Sequence, residues 1–123
     1  MKKALVVDDA TTMRMYHRRI LVDLGFEVDE CVNGVEAIEK SLQTRYDLFV
    51  VDVNMPKMDG YRFLKELRSR RDVHQAPAIM VSTESEAKDR HAAYVAGANV
   101  YLTKPRHTGA LLRAAALLTG EVQ

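Results

Sequence analysis

Five strand-length runs alternate with stretches of helical period along this chain, and that alternation constrains the fold more than any other feature. The runs are residues 4–7, 26–32, 48–51, 78–81 and 99–103. The third, Leu48-Phe49-Val50-Val51, is apolar at every position and rich in β-branched residues. It is too short for a buried helix and reads as a strand covered on both faces. Between the runs, apolar residues recur every three to four positions. Met13, Tyr16, Ile20 and Leu24 mark a first helix, with Thr11 or Thr12 placed to cap it and Gly25 to stop it. Val35, Ile38 and Leu42, with Ala37, mark a second after an Asn33-Gly34 turn. Further helices are expected from about Tyr61, from about Glu86 to Ala96 with Gly97 closing it, and over 110–118 with Leu111, Leu112, Ala115 and Leu118 inward. Strand followed by helix, five times over, predicts an α/β fold: a doubly wound five-stranded parallel sheet with right-handed crossovers. At 123 residues one domain over 1–123 with its own core is expected.

Charge narrows the function classes. Eighteen Lys and Arg against 17 Asp and Glu leave a net charge of +1, which argues against a dedicated nucleic-acid or membrane-surface protein. No apolar run approaches the roughly 20 residues of a membrane span. The start, MKKALVVDD, reaches acids before a signal-peptide core could form, so a cytoplasmic location is expected. Cys31 is the only cysteine, which excludes an internal disulfide and a thiolate metal cluster and suits a small buried side chain. His17, His74, His91 and His107 have no metal-ligand spacing; they are expected at the surface, which disfavours a histidine phosphocarrier. Arg68, Arg70 and Arg71 could hold an anion, but beside Asp72 at a helix end they read as a solvated cap that suits the helix dipole.

Polar residues with chemistry gather where the strands stop. Asp8 and Asp9 follow the first, Asp52 the third, Ser82 the fourth and Lys104 the fifth. In open α/β sheets ligands bind at the carboxyl ends of the strands. Adjacent carboxylates repel, so their convergence there calls for a cation. Oxygen donors without His or Cys suit Mg²⁺. Glycine-rich P-loop and dinucleotide patterns are absent. An aspartate-nucleophile phosphatase would carry a second acid where Asn54 stands.

The segments VVDD, VVDVNMPKMDG, MVST and YLTKP, in that order, resemble the receiver domain of two-component response regulators, and within it the single-domain chemotaxis type. The resemblance spans essentially the whole chain and implies the flavodoxin-like (βα)5 fold with strand order 2-1-3-4-5. It implies that Asp52 accepts a phosphoryl group from a histidine kinase, and that Asp9 and Asp52 ligate Mg²⁺ directly. Asp8 would hold a coordinated water, and the backbone carbonyl of Asn54 would complete the protein's ligands. Lys104 and the Ser82 hydroxyl would neutralise and hydrogen-bond the phosphoryl oxygens. Asn54, Thr83 and Glu84 border the path of the hydrolytic water and would tune the phosphoryl lifetime. The protein would thus be a phosphoacceptor in signalling rather than an enzyme, catalysing only its own phosphorylation and dephosphorylation.

The resemblance also implies a switch made by Ser82 and Tyr101, with the hydroxyl drawn to the phosphoryl group and the Tyr101 ring then filling space beneath the fourth helix. Output would pass through a protein contact on the face of the fourth helix, fifth strand and fifth helix, bordered by Lys88, Arg90, His91, Tyr94 and Arg106. No DNA-binding segment follows the fifth helix, so neither nucleic acid nor membrane is an expected partner and a monomer is expected. Chemotaxis-type kinase and flagellar motor switch are the partners the likeness suggests. Arg106, where the chemotaxis type carries phenylalanine, departs from a motor-type groove. A phosphorelay intermediate or phosphate sink keeps the same chemistry, and a non-phosphorylated scaffold is a third reading.

Overall fold

The computed structural model describes residues 1–120. The elements alternate as β1 (Lys3–Val7), α1 (Thr11–Asp23), β2 (Glu27–Cys31), α2 (Gly34–Gln43), β3 (Leu48–Asp52), α3 (Gly60–Ser69), β4 (Ala78–Ser82), α4 (Ala87–Ala96), β5 (Val100–Thr103) and α5 (Thr108–Thr119). All strand pairs are parallel, in the order β2-β1-β3-β4-β5. Among the described residues no helix is long and apolar enough to cross a membrane.

Side chains alternate across a strand, and this divides the core in two. Leu5, Val7, Phe49, Val51, Ala78 and Met80 join one cluster with residues of α2, α3 and α4, including Phe63, Leu64 and Ala93. Ala4, Val6, Leu48, Val50, Ile79 and Val81 join the other with Ile20 and Leu21 of α1 and Leu111 and Ala115 of α5. Both faces of the sheet are therefore covered, which is why the strands read as unbroken apolar runs. Asp52 follows the parity of Leu48 and Val50 and so faces the α1/α5 side. Ser82 follows Ala78 and Met80, and Tyr101 belongs to their cluster, on the α4 side.

Helix ends differ from expectation where a side chain found a different use. Neither Thr11 nor Thr12 caps α1. Ala10, whose methyl group can make no cap bond, holds the cap position, and its N–H donates to Asp8 Oδ1 at 2.9 Å. Asn33 is a helix cap rather than the corner of a turn, accepting from Glu36 N–H at 2.9 Å. Gly25 and Gly97 close α1 and α4 in the left-handed conformation as expected, at φ 98° and 117°. Inward stripes also shift. Val35 and Leu42 are 41% and 43% exposed, so Ala37, Ile38 and Ser41 carry the buried face of α2. On α1, Ile20 is buried as expected, but its companions are His17 and Leu21. Cys31 is buried, and burial pushes its thiol up to about 12, so it stays protonated.

Within the arginine cluster, Arg68 is a strap rather than a solvated cap. Arg68 reaches from the end of α3 to the Gly97 carbonyl through Nε (3.1 Å) and Nη2 (3.0 Å), and to the Ala76 carbonyl at 2.8 Å. Its Nη2 also donates to Asn99 Oδ1, which accepts from Ala78 N–H. Arg70 pairs with Glu66 and Asp72, and Arg71 is exposed.

The loop after β3 is set by close backbone approach. Gly60 N–H donates to the Val53 carbonyl at 2.9 Å, and a Cβ at Gly60 would collide with the Asp52 carbonyl oxygen. Asp59 caps α3 by accepting from Arg62 N–H. Gly60→Ala is expected to lower stability by about 1–3 kcal/mol, the usual cost of overpacking, read as a fall in the urea midpoint. An unchanged midpoint would mean the loop relaxes freely.

Candidate functional site

Register brings the acids together. Val7 pairs with Val51, so Asp8 and Asp52 come next on neighbouring strands at the same edge. Backbone bonds extend the ladder past the strand ends: Asp8 N–H to the Cys31 carbonyl (3.1 Å) and Lys104 N–H to the Ser82 carbonyl (2.8 Å). Carboxylate oxygens of Asp8, Asp9 and Asp52 lie within 4.8 Å of one another. Asp8 and Asp52 are buried, and Asp9 is exposed. Lys104 Nζ donates to Asp52 Oδ1 at 3.0 Å and stands 3.7 Å from Asp8 Oδ2. The peptide bond that follows it, Lys104-Pro105, is cis. Arg14, from α1, donates to the Asp8 carbonyl at 2.8 Å and pairs with Glu30, which steadies the start of that helix.

Electrostatics leave the site short of positive charge. Burial raises the Asp52 carboxyl, the charge of Asp8 raises it further, and Lys104 opposes both; it stands at about 6. Asp8 is raised as well, chiefly by burial, with the Ala10 N–H and Lys104 acting against it. One ammonium faces three acids. Asp8 Oδ2 is buried with no hydrogen-bond partner. An orphaned buried oxygen, an all-oxygen donor set and surplus negative charge together fit a hard divalent cation.

The other expected residues divide between two roles. Ser82 is buried, and its Oγ accepts from Glu84 N–H at 3.1 Å, keeping its own proton free to donate. Tyr101 is 3% exposed, and its hydroxyl donates to the Glu84 carbonyl at 2.7 Å. The peptide groups of Glu84 thus link the two side chains, a connection that sequence reading did not reveal. The Tyr101 ring is inward beneath α4, with Arg90 5.3 Å above it. Asn54, Thr83 and Glu84 are exposed at the rim. Lys88, Arg90, His91, Tyr94 and Arg106 are exposed as expected.

Two histidines overturn the surface assignment. His74 and His91 are exposed, but His17 and His107 are 1% and 2% exposed, with Nε2 atoms 2.8 Å apart. The signal was in the sequence: His17 lies four residues after Met13 and three before Ile20, on the inward stripe. Burial lowers His17 to about 3, with His107 and then Lys104 adding to the shift. His107 is also lowered, mainly by burial, with Lys104 contributing in the same sense. Lys104 is the charged side chain acting on both rings, and Tyr16 packs against both at 5.6 and 5.5 Å. A group whose folded value is depressed below the ordinary 6.5 favours the fold above that pH and loses the advantage as pH falls toward 3. Each such proton is worth up to ~1.4 kcal/mol per pH unit. Asp52, raised, acts in the opposite sense over part of this range. Making the comparison in an Asp52→Asn background, between the protein with both histidines and its His17→Leu/His107→Leu variant, removes that contribution. The protein with both histidines is expected to lose stability relative to the leucine variant as urea midpoints are measured from pH 6.5 down to 5; a constant difference would refute the neutral pair.

Comparisons with known proteins agree with this geometry. A family model described as the response regulator receiver domain matches residues 4–116. Sensor protein EvgS of Escherichia coli K12 is 37% identical over 101 residues, covering 82% of this chain and 8% of EvgS. The chain spans less than half the length of the curated relatives it matches. Vibrio cholerae chemotaxis protein CheY4 superposes with a TM-score of 0.87 at 33% identity, covering 96% of this chain and 98% of that one. The receiver domain of Pseudomonas aeruginosa sensor histidine kinase PA1611, solved with magnesium in its active-site cleft, gives 0.87 at 28% identity over 97% of this chain and 98% of that one. With the parallel 2-1-3-4-5 sheet and a lysine held against aspartates at its carboxyl edge, the chain belongs to the response regulator receiver domains, phosphoacceptors of two-component signalling that pair with histidine kinases.

Proposed function

We propose that residues 1–123 form a single receiver domain in which Asp52 takes a phosphoryl group from the phosphohistidine of a kinase. The observation that carries this is the Lys104 ammonium held 3.0 Å from a buried Asp52, among carboxylates that lie within 4.8 Å of each other. A carboxylate oxygen of Asp52 forms a bond to phosphorus as the bond from phosphorus to the kinase imidazole nitrogen breaks, and the imidazole keeps the electron pair. Asp8, Asp9, Asp52 and the Asn54 backbone carbonyl are the residues that would hold Mg²⁺, which supplies charge neutralisation to the transferring group. Lys104 stays beside the new phosphoryl oxygens, and the free Ser82 proton can be donated to one of them. Asn54, Thr83 and Glu84, at the exposed rim, govern how readily water reaches the phosphorus.

Output runs through the Ser82–Glu84–Tyr101 connection. A Ser82 hydroxyl drawn toward a phosphoryl oxygen carries the Glu84 N–H it accepts from, and Glu84, whose carbonyl holds Tyr101, shifts with it. Phosphorylation acts by changing how firmly the inward Tyr101 ring is held, a coupling typically of about 1–3 kcal/mol. The partner is a protein that binds the α4–β5–α5 face, most simply a chemotaxis target such as a flagellar motor switch, with a chemotaxis-type kinase upstream and the receiver acting as a cytoplasmic monomer. The likeness to CheY4 supports this choice. A pull-down comparing Mg²⁺–beryllofluoride-loaded with unloaded protein is expected to capture the target only when loaded. Amide shifts on loading should extend from the acids to Tyr94 and Tyr101. Shifts confined to residues 8, 9, 52 and 104 would sink the output mechanism.

A further inference from the structure

His17 and His107 belong to no part of the carboxylate edge, yet both lie on segments that start from it. α1 leaves the Asp8-Asp9 pair and carries His17. Lys104-Pro105-Arg106-His107 leads from the end of β5 to the start of α5. The 2.8 Å bond between the rings closes a circuit: from Asp8 through α1 to His17, across to His107, and back to Lys104, whose ammonium returns to Asp52 and Asp8. Among the described residues it is the only hydrogen bond between α1 and residues 104–119. The His17 Nδ1 has no partner, so this is the only hydrogen bond the His17 ring makes.

A polar pair at this place does something an apolar contact would not. Packed methyl groups tolerate small slides between two helices, whereas a hydrogen bond holds a narrow range of distance and direction. In a neutral pair one Nε2 donates and the other accepts. The Tyr16 ring covers both imidazoles and keeps water from substituting for either. Loss of one partner leaves the other buried and unsatisfied, which drives the surrounding segment to move. Residues 104–107 link this bond to the ammonium; the Lys104 N–H stays on the Ser82 carbonyl, so a shift falls on the peptides after it and on the direction of the Lys104 side chain.

We propose that His17 and His107 are positioning residues for Lys104: their hydrogen bond fixes residues 104–107 against α1 and so sets the reach of the ammonium to Asp52. The proposal rests on the roles given to Asp52 and Lys104 above. It is tested by the rate at which acetyl phosphate labels the intact protein in Mg²⁺. His17→Leu is expected to slow labelling on the order of tenfold, since a displaced donor costs less than a deleted one. His17→Gln, whose amide can donate to His107, should recover most of the rate. His17→Leu/His107→Leu removes both polar atoms together, so it should fold with near wild-type stability and still label slowly. Combined with Lys104→Ala, His17→Leu should add no further loss, because both act through one ammonium. Wild-type rates in both leucine variants, or an equal slowing with and without Lys104, would overturn the brace while leaving the loss of labelling in Asp52→Asn untouched. Labelling that survives Asp52→Asn would overturn the underlying reading together with the brace.

Discussion

Asp52→Asn is expected to abolish labelling by acetyl phosphate and to leave the protein folded. A carboxamide fills the same volume but offers no anionic oxygen to attack phosphorus. The neighbouring acids do not substitute for it. Asp8 has one oxygen tied to the Ala10 N–H, and Asp9 is exposed on the turn into α1. Stability should hold or rise, because the substitution removes a buried charge that Asp8 repels and burial disfavours. A carboxyl raised from 3.8 to about 6 sets an upper bound on the gain of about 3 kcal/mol, with the opposing effect of Lys104 already included. Mass spectrometry after labelling reads the first effect, and a urea titration in chelator reads the second. Phosphate retained on Asp52→Asn would remove Asp52 from the mechanism.

Lys104→Ala is the second large effect, and it divides into two parts. The side chain is nearly buried and is the cation shared by Asp52 and Asp8. Without it the transferring phosphoryl group loses a preorganised positive donor, so labelling should slow about 10²–10³-fold. The acids also lose their counter-charge, and the metal-free protein should be destabilised by about 1–3 kcal/mol. A divalent cation compensates for the second loss more than the first. Mg²⁺ should therefore raise the melting temperature of Lys104→Ala by more than it raises that of the wild type, while the labelling rate stays low. Equal stabilisation of the two proteins by Mg²⁺ would show that Lys104 and the cation do not share the same acids.

Local period and chain order were enough to determine the frame. Continuous apolar runs ending in Asp8, Asp52 and Ser82 could only be strands buried on both faces, and parallel strands in a common register bring such ends to one edge. Carboxylates and lysine therefore assembled as the sequence predicted, with Lys104 Nζ at 3.0 Å from Asp52. Gly25 and Gly97 stopped their helices for an equally local reason, since a left-handed residue costs glycine little.

What only the tertiary structure decided depends on residues far apart in the chain. His17 meets His107 across 90 positions, and no window of helical period contains both. A histidine on an inward stripe is costly unless something answers it, and the partner's location is a property of how α1 and α5 pack. Arg68 reads as a solvated cap until the Gly97 and Ala76 carbonyls are seen in its reach. Val35 and Leu42 have the spacing of an inward face, yet the sheet is covered by Ala37 and Ile38 and leaves them at the surface. The Ser82 and Tyr101 side chains meet on the peptide groups of Glu84, and backbone groups carry no mark in a sequence. Which face a residue takes follows from short-range periodicity. Which partner it finds there follows from packing, and packing is decided by the whole fold.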